Sequence, residues 1–467
     1  NNAYGTGIVF QNSFSSTNLT AENYVGMSGG PVDFDESSGS TGTEVVFESA
    51  TTRHSRIAYD ANSNKVVVAY CDGGNSGKGT AVVGTVSGTS ISFGSAVIFE
   101  AGATEEVMSI IFYGDSNKVV ISFVDQGNSG HGKSIVGTVS GTSISFGSPG
   151  TFNTQSTQLI SSCYDPDADR VVVAYRETAS ACAARVGTVS GTNISFGSAV
   201  SFNSAQVEFT STVYDTNSNK TVIAFVNGAS DIGHGTAIVG TVSNTSISFG
   251  SPVTFNAAYT NYPAAVFDPN LNKVVIAYAN AGNSNYGTAI VGTVSGTSIS
   301  FGSPTVFEAA TTTYNAVSYD ENAKKVVVFY RDGGNSNYGT TTSGTVSGTG
   351  ISFSTSTVFN AGNTVEISAV YDSTNKKIVI VYRDVGNSNY GTALVSSTAY
   401  NNTVRGQVAS GSSASVDIIG TVSTNQTGLT PGQSYFVQTD GTLALTAGDP
   451  SVFAGTAISA TKLLVKS

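Results

Sequence analysis

Tryptophan is absent from this 467-residue chain, and there are only three histidines, three cysteines and two methionines. Charged residues make up 11% of it, against about 25% in an average globular protein. The net charge is -11, from 31 acids and 20 bases, and no run of Lys or Arg occurs. A duplex binder needs a basic stripe to displace counterions, so nucleic acid is not an expected partner. No apolar stretch approaches the roughly 18 residues of a membrane span, so no membrane insertion is expected. The cysteines, Cys71, Cys163 and Cys182, are odd in number and stand where other copies of a repeat carry unrelated residues. They read as buried thiols, not a disulfide framework. His54, His131 and His234 lie at unlike positions and match no zinc spacing. No G-x-S-x-G, P-loop or dinucleotide motif stands in a suitable context. The chain is therefore read as a non-enzyme with no cofactor and no metal.

What is present is a repeat. The phrase "YANAGNSNYGTAIVGTVSGTSISFGS" (278–303) recurs along the chain with small changes. An aromatic residue six positions before a Lys or Arg marks each copy: Tyr59, Phe112, Tyr164, Tyr214, Phe267, Tyr319 and Tyr371, at spacings of 53, 52, 50, 53, 52 and 52. A Phe lies twelve or thirteen residues upstream of each, from Phe47 to Phe359, and a Tyr or Phe eleven downstream, from Tyr70 to Tyr382. Each module breaks into short runs rich in Val, Ile, Tyr and Phe, punctuated by Gly, Asn, Asp and Ser. No run has helical periodicity. Four antiparallel strands per module and seven modules lead us to expect an all-β fold: a seven-bladed β-propeller of four-stranded antiparallel blades, plus a small β-rich C-terminal module. Mostly small residues just before the anchor aromatic, such as 211–213 and 264–266, fit strands that converge on an axis. A stacked solenoid is the rival, with shorter rungs and capped ends.

The ends are uneven. The seventh module lacks an "ISFG" strand, while "TEVVFESA" (43–50) has no module in front of it. The expected domains are 1–40, a linker with a blade-like strand; 41–400, the propeller, with strand 43–48 closing blade seven; and 401–467, a linker and β module. Residues 398–420 or 20–40 are candidates for the missing strand. "NNAYGTGIVF" (1–10) echoes "NSNYGTALVS" (387–396), so a longer parent protein with an upstream unit is expected. In the tail, Pro431-Gly432 and Asp440-Gly441 are hairpin signals.

Two sets of loops carry polar side chains. Thirteen residues after each anchor stand Asp72, Asp125, Glu177, Asn227, Asn280, Asp332 and Asp384. This ring is read either as turn-capping Asx chemistry or as a recognition rim. Tyr286, Tyr338 and Tyr390 would add amphipathic contacts to such a rim. The "DANSN" and "DPDAD" turns resemble the start of a calcium loop, but Lys65, Arg170, Lys220 and Lys273 stand where such a loop needs Gly. An Asx turn is the better account. Paired rim carboxylates are also the minimum for glycan cleavage, though a repeated ring is explained by the repeat itself.

"STNLTAENYVGMSGG" (16–30), the repeated units and "LTPGQSYFVQTDGTLALTAGDPSVFAGTAISATKLLVK" (429–466) together resemble repeat proteins of marine bacteriophages, large tail-fibre or virion-appendage proteins. The resemblance implies a virion-surface, extracellular protein that contributes to host attachment through the propeller rim. Its implied partners are other copies of itself or other virion proteins, and a host-surface glycan or protein. The alternatives are a structural spacer or decoration of a virion or filament, and a glycan-cleaving enzyme.

Overall fold

A computed structural model describes residues 41–398 apart from 105–107, 178–181 and 229–232, together with 4–10, 19–20, 402–409, 413–414, 422–423, 427–437, 443–446, 452–460 and 462–465. Of the stretches named as sources of the missing strand, 21–40 lies outside these residues, as does Asp440-Gly441, while Asn402–Ala409 within 398–420 is described and pairs with Tyr4–Phe10. The chain divides into two parts: Ser38–Thr398, and Asn1–Ser37 grouped with Ala399–Ser467.

In the first part every described strand pair is antiparallel. A module begins with a strand ending at the anchor aromatic, as in Val45–Asp60. It turns through "ANSN" into Lys65–Asp72, returns along Lys78–Ser87, and turns back through the short Ser90–Phe93. The second strand is buried on both faces: Val66, Val67, Val68, Ala69 and Tyr70 are all 0% exposed. That double burial explains why "KVVVAY" shows no polar alternation. One face of it packs with Val119, Ile121 and Phe123 of the following module. The other packs with Val379, Val381, Ala393 and Val395 of the seventh. The first strands of successive modules lie beside one another, and Val45–Asp60 lies beside both Ser109–Tyr113 and Thr357–Asp372.

The seven-bladed propeller of four-stranded blades is corrected by the hydrogen bonding. One sheet of twenty strands runs through five modules, and two sheets of five strands hold the second and third; all are open, and none is closed or strongly curled. The physical cause is the 16-residue strands Val45–Asp60, Val253–Asp268, Thr305–Asp320 and Thr357–Asp372. Each pairs first with the third strand of one module and then with the second strand of the next. With no turn chemistry between these halves, the ladder passes from module to module instead of ending in a separate blade. The fold is an all-β repeat built on large open antiparallel sheets. The N-terminal strand takes part in the same way: Val45 lies opposite Ala393 and Thr51 opposite Tyr390.

Two glycines per module hold this geometry. A Cβ on Gly79, Gly132, Gly235, Gly287, Gly339 or Gly391 would fall 2.3–2.6 Å from the ring of Phe99, Phe152, Phe255, Phe307, Phe359 or Phe47. The same Phe meets the Tyr or Phe of the second strand at 5.1–5.5 Å between centroids. The third module has Cys182 at the glycine's place, opposite Asn203. The second glycine follows "ISF". A Cβ on Gly94, Gly147, Gly197, Gly250 or Gly302 would lie 1.8–1.9 Å from the carbonyl oxygen of a Thr in the next module's turn. The sixth module has Ser354 there, and no such turn follows it. Gly42 fills the seventh module's vacancy: it donates to Val395 O (2.7 Å) and approaches Thr89 O of the first module in the same way.

In the other part, Tyr4–Phe10 pairs antiparallel with Asn402–Ala409. A five-stranded sheet includes Ser434–Val437, Val452–Ser459 and Lys462–Val465. Its small core is Leu429, Tyr435, Ala457 and Leu463, and Gly432 turns the chain at φ 85°.

Gly287→Val is expected to destabilise the protein by about 1–3 kcal/mol, because the Phe307 ring has nowhere to retreat. Gly296→Asn is the control: φ is +61°, nothing lies within 4 Å, and Asn244 already occupies the equivalent place at φ 55°. Thermal unfolding of both variants checks this; equal midpoints would contradict the role given to the Phe–Gly contact.

Candidate functional site

The Asx turns are present. Asp60, Asp165, Asp215, Asp268 and Asp320 each accept, through Oδ1, from two backbone N–H groups two and three residues on, at 2.9–3.1 Å. An oxygen used this way closes a turn.

The ring thirteen residues after the anchors sits at the ends of the second strands. Asp72, Asp125, Asp332 and Asp384 are buried, and Glu177, Asn227 and Asn280 are half-buried. Asp332 accepts from Gly334 N (2.9 Å), Asp384 from Asn387 N (3.2 Å) and Asn280 from Gly282 N (3.1 Å). Asn227 accepts from Asn203 Nδ2 (3.1 Å), and Asp125 pairs with Lys133. Tyr286, Tyr338 and Tyr390 are half-buried. They lie directly across the hairpin from Asn280, Asp332 and Asp384. Three of the seven thus close their own loops, and two more are engaged by side chains of neighbouring strands.

A different row of side chains lies a short step along the first strands. Each described first strand except Ser109–Tyr113 is interrupted by a bulge, with register shifts at 53–56, 158–161, 208–210, 261–264, 313–316 and 365–368. The bulged residues are His54, Leu159, Phe209, Tyr262, Tyr314 and Glu366, all at φ between 50° and 56°. A left-handed backbone on bulky residues is strained, costing roughly 1–3 kcal/mol each. All six are half-buried. The bulge turns the following residue inward, where Ser55, Ile160 and Ile367 are at most 5% exposed. Beyond it, small hydroxyls lace adjacent strands together: Ser109 to Ser162 at 2.7 Å and Ser161 to Thr212 at 2.6 Å. This accounts for the small residues before each anchor.

Along the row, Phe209 and Tyr262 have centroids 4.8 Å apart, and Tyr262 and Tyr314 5.1 Å apart. Glu366 accepts from His54 N (2.9 Å) through Oε2, which also pairs with Arg383 Nε (3.3 Å). The other oxygen accepts from Arg383 Nη2 (3.4 Å). Arginines stand close by. Arg176, Arg331 and Arg383 lie opposite Gln158, Thr313 and Val365, each the residue just before the bulged one. Arg56 donates to Ser55 O (2.9 Å) and forms no ion pair among the described residues. Burial lowers the Arg56 pKa, and the Glu366 carboxylate opposes that fall. Burial raises the Tyr262 phenol; Tyr314 adds to the rise and Arg331 counters it.

Sequence reasoning missed this row. The signal was the column five before the anchor, which reads His, Val, Leu, Phe, Tyr, Tyr, Glu and lies in a variable stretch between repeating strands.

No family model matches the chain, and no curated protein matches it. With the propeller corrected as well, the resemblance to bacteriophage tail-fibre or virion-appendage proteins is withdrawn, and with it host attachment through a propeller rim and the virion setting. Strands of Val, Thr and Ser divided by Gly and Asn meet a packing requirement common to many repeats, so such phrases specify a family weakly. Among the described residues no helix is long and apolar enough to cross a membrane, and no group of three metal-ligating side chains occurs.

Cys71, Cys163 and Cys182 are buried thiols, not joined in a disulfide. Burial pushes the thiol of Cys163 up to about 12 and that of Cys182 to about 11. Native protein at pH 8 is expected to resist a thiol reagent that titrates all three residues after denaturation. Glu366→Gln is expected to cost about 1–3 kcal/mol, since it weakens a charge-assisted acceptor and leaves Arg383 without its carboxylate. Denaturant titration checks this; a shift no larger than that of an exposed control such as Glu321→Gln would refute it.

Proposed function

We propose that this chain is a non-catalytic binding module whose ligand seats on the bulge row of the first strands. One observation carries the reading. The residue type changes from module to module at this position and at the two beside it, while the second and third strands repeat, and every described copy is held in a strained backbone. A stretch serving the scaffold alone would be expected to repeat as those strands do. Strain at aligned positions points to side chains placed for use.

The chemistry of the row suits recognition. Partly exposed tyrosines offer flat faces and hydroxyls, and arginines offer forked donors. Catalysis is not part of the proposal, because both oxygens of Glu366, the row's carboxylate, are occupied by His54 and Arg383. The polar ring at the ends of the second strands is not part of the proposed surface.

The test is a glycan and small-molecule array probed with the wild-type protein and with Tyr262→Ala and Tyr314→Ala. Wild type should retain a restricted set of ligands. Each variant should lose them by about ten-fold or more in affinity while keeping the wild-type circular dichroism. Identical profiles for all three proteins would remove the row from the binding surface.

A further inference from the structure

The row is uneven in charge in a way that specifies its ligand further, provided that it is the binding surface proposed above. Arginine is scarce: the sequence has eight, and Arg53, Arg56, Arg176, Arg331 and Arg383 lie on the first strands or at the second-strand ends beside the bulges. Three of these are accounted for by contacts, and a fourth by its exposure. Arg56 donates to Ser55 O (2.9 Å). Arg383 pairs with Glu366. Arg176 donates to Val207 O (3.1 Å) and to Gln158. Arg53 is exposed on the first strand.

Arg331 differs. It is half-buried, and its Nε donates to Asn363 Oδ1 at 3.0 Å. Its terminal nitrogens make no hydrogen bond or ion pair among the described residues. It lies opposite Thr313, next to the bulged Tyr314, and within electrostatic reach of Tyr262. A partly desolvated guanidinium with an empty fork is costly to keep, and it has the geometry to take a carboxylate through two parallel bonds. The two tyrosine rings beside it are 5.1 Å apart and inclined by 44°, and both are half-buried, so each leaves part of its surface to a ligand.

We infer that Tyr262, Tyr314 and Arg331 form a subsite for an acidic sugar residue, a uronic acid within an oligosaccharide. The tyrosines take the C–H face of the sugar ring and the hydroxyl groups at its edge. Arg331 takes the carboxylate, with Asn363 fixing the plane of the guanidinium. The chain's negative net charge excludes a general polyanion site, so selectivity rests on this one guanidinium set against aromatic surface.

The experiment measures binding of an oligomannuronate tetrasaccharide and of neutral cellotetraose, by calorimetry, to wild type, Arg331→Gln and Tyr262→Ala. The acidic tetrasaccharide should bind wild type at least about ten-fold more tightly than the neutral one, and Arg331→Gln should lose about ten-fold or more of that affinity. A tenfold rise in salt should weaken the acidic ligand and leave the neutral one unchanged. Unfolding midpoints of the variants close to wild type show that they fold. If the two sugars bind equally and Arg331→Gln keeps its affinity while Tyr262→Ala loses it, the inference falls and the binding row stands. If a bound sugar is held equally by Tyr262→Ala, or wild type binds neither sugar, the acidic-sugar subsite is refuted; the array decides separately whether the row binds anything.

Discussion

The fold depends on one contact made in module after module: a phenylalanine ring lying over a glycine. The ring needs the volume that a Cβ would occupy, and the glycine has no side chain with which to cover its own strand. Together they place the incoming half of each long strand against the third strand of the module it is leaving. The second strand's aromatic residue then closes over the same ring, so each apolar cluster has a fixed centre. Because Phe47 lies over Gly391, the first and seventh modules are joined by the same contact that seats each other strand.

The local structure was legible in the sequence because it is dictated by short-range chemistry. Val-rich runs bounded by Asn, Asp and Gly could only be short strands, and an Asp before two peptide N–H groups could only close a turn. The architecture was not legible in the same way. Hydrophobic periodicity says which residues are buried and leaves open whether the ladder stops at a module boundary or crosses it. The boundary is decided by the absence of a break between Phe47 and Ser55, which looks unremarkable beside the conspicuous turns. The binding row was hidden for a related reason. A left-handed backbone is announced in a sequence by Gly or Asn, and here it falls on Leu159, Phe209, Tyr262 and Tyr314. The polar ring at the strand ends was conspicuous because it repeats, and its repetition follows from each loop having the same amides to satisfy.

Strain and charge converge on the first strands. Elsewhere the chain spends few charged residues, and several of its carboxylates and phenols are paired in place, as where Tyr330 donates to Glu308 at 2.9 Å and Tyr382 to Glu44 at 2.8 Å. The bulge row combines distorted backbone, stacked rings and a guanidinium with unused donors. Such a combination opposes stability, and the surrounding sheets, buried on both faces, are stable enough to hold it.

Ser354 records where the series stops. Each earlier glycine after "ISF" leaves room for the carbonyl of the turn that follows, and a serine stands only where no such turn arrives. Building such a turn into the seventh module would therefore press its carbonyl into a side chain. The serine and the shortened seventh module are matched to each other, and restoring the turn would call for glycine at that codon as well.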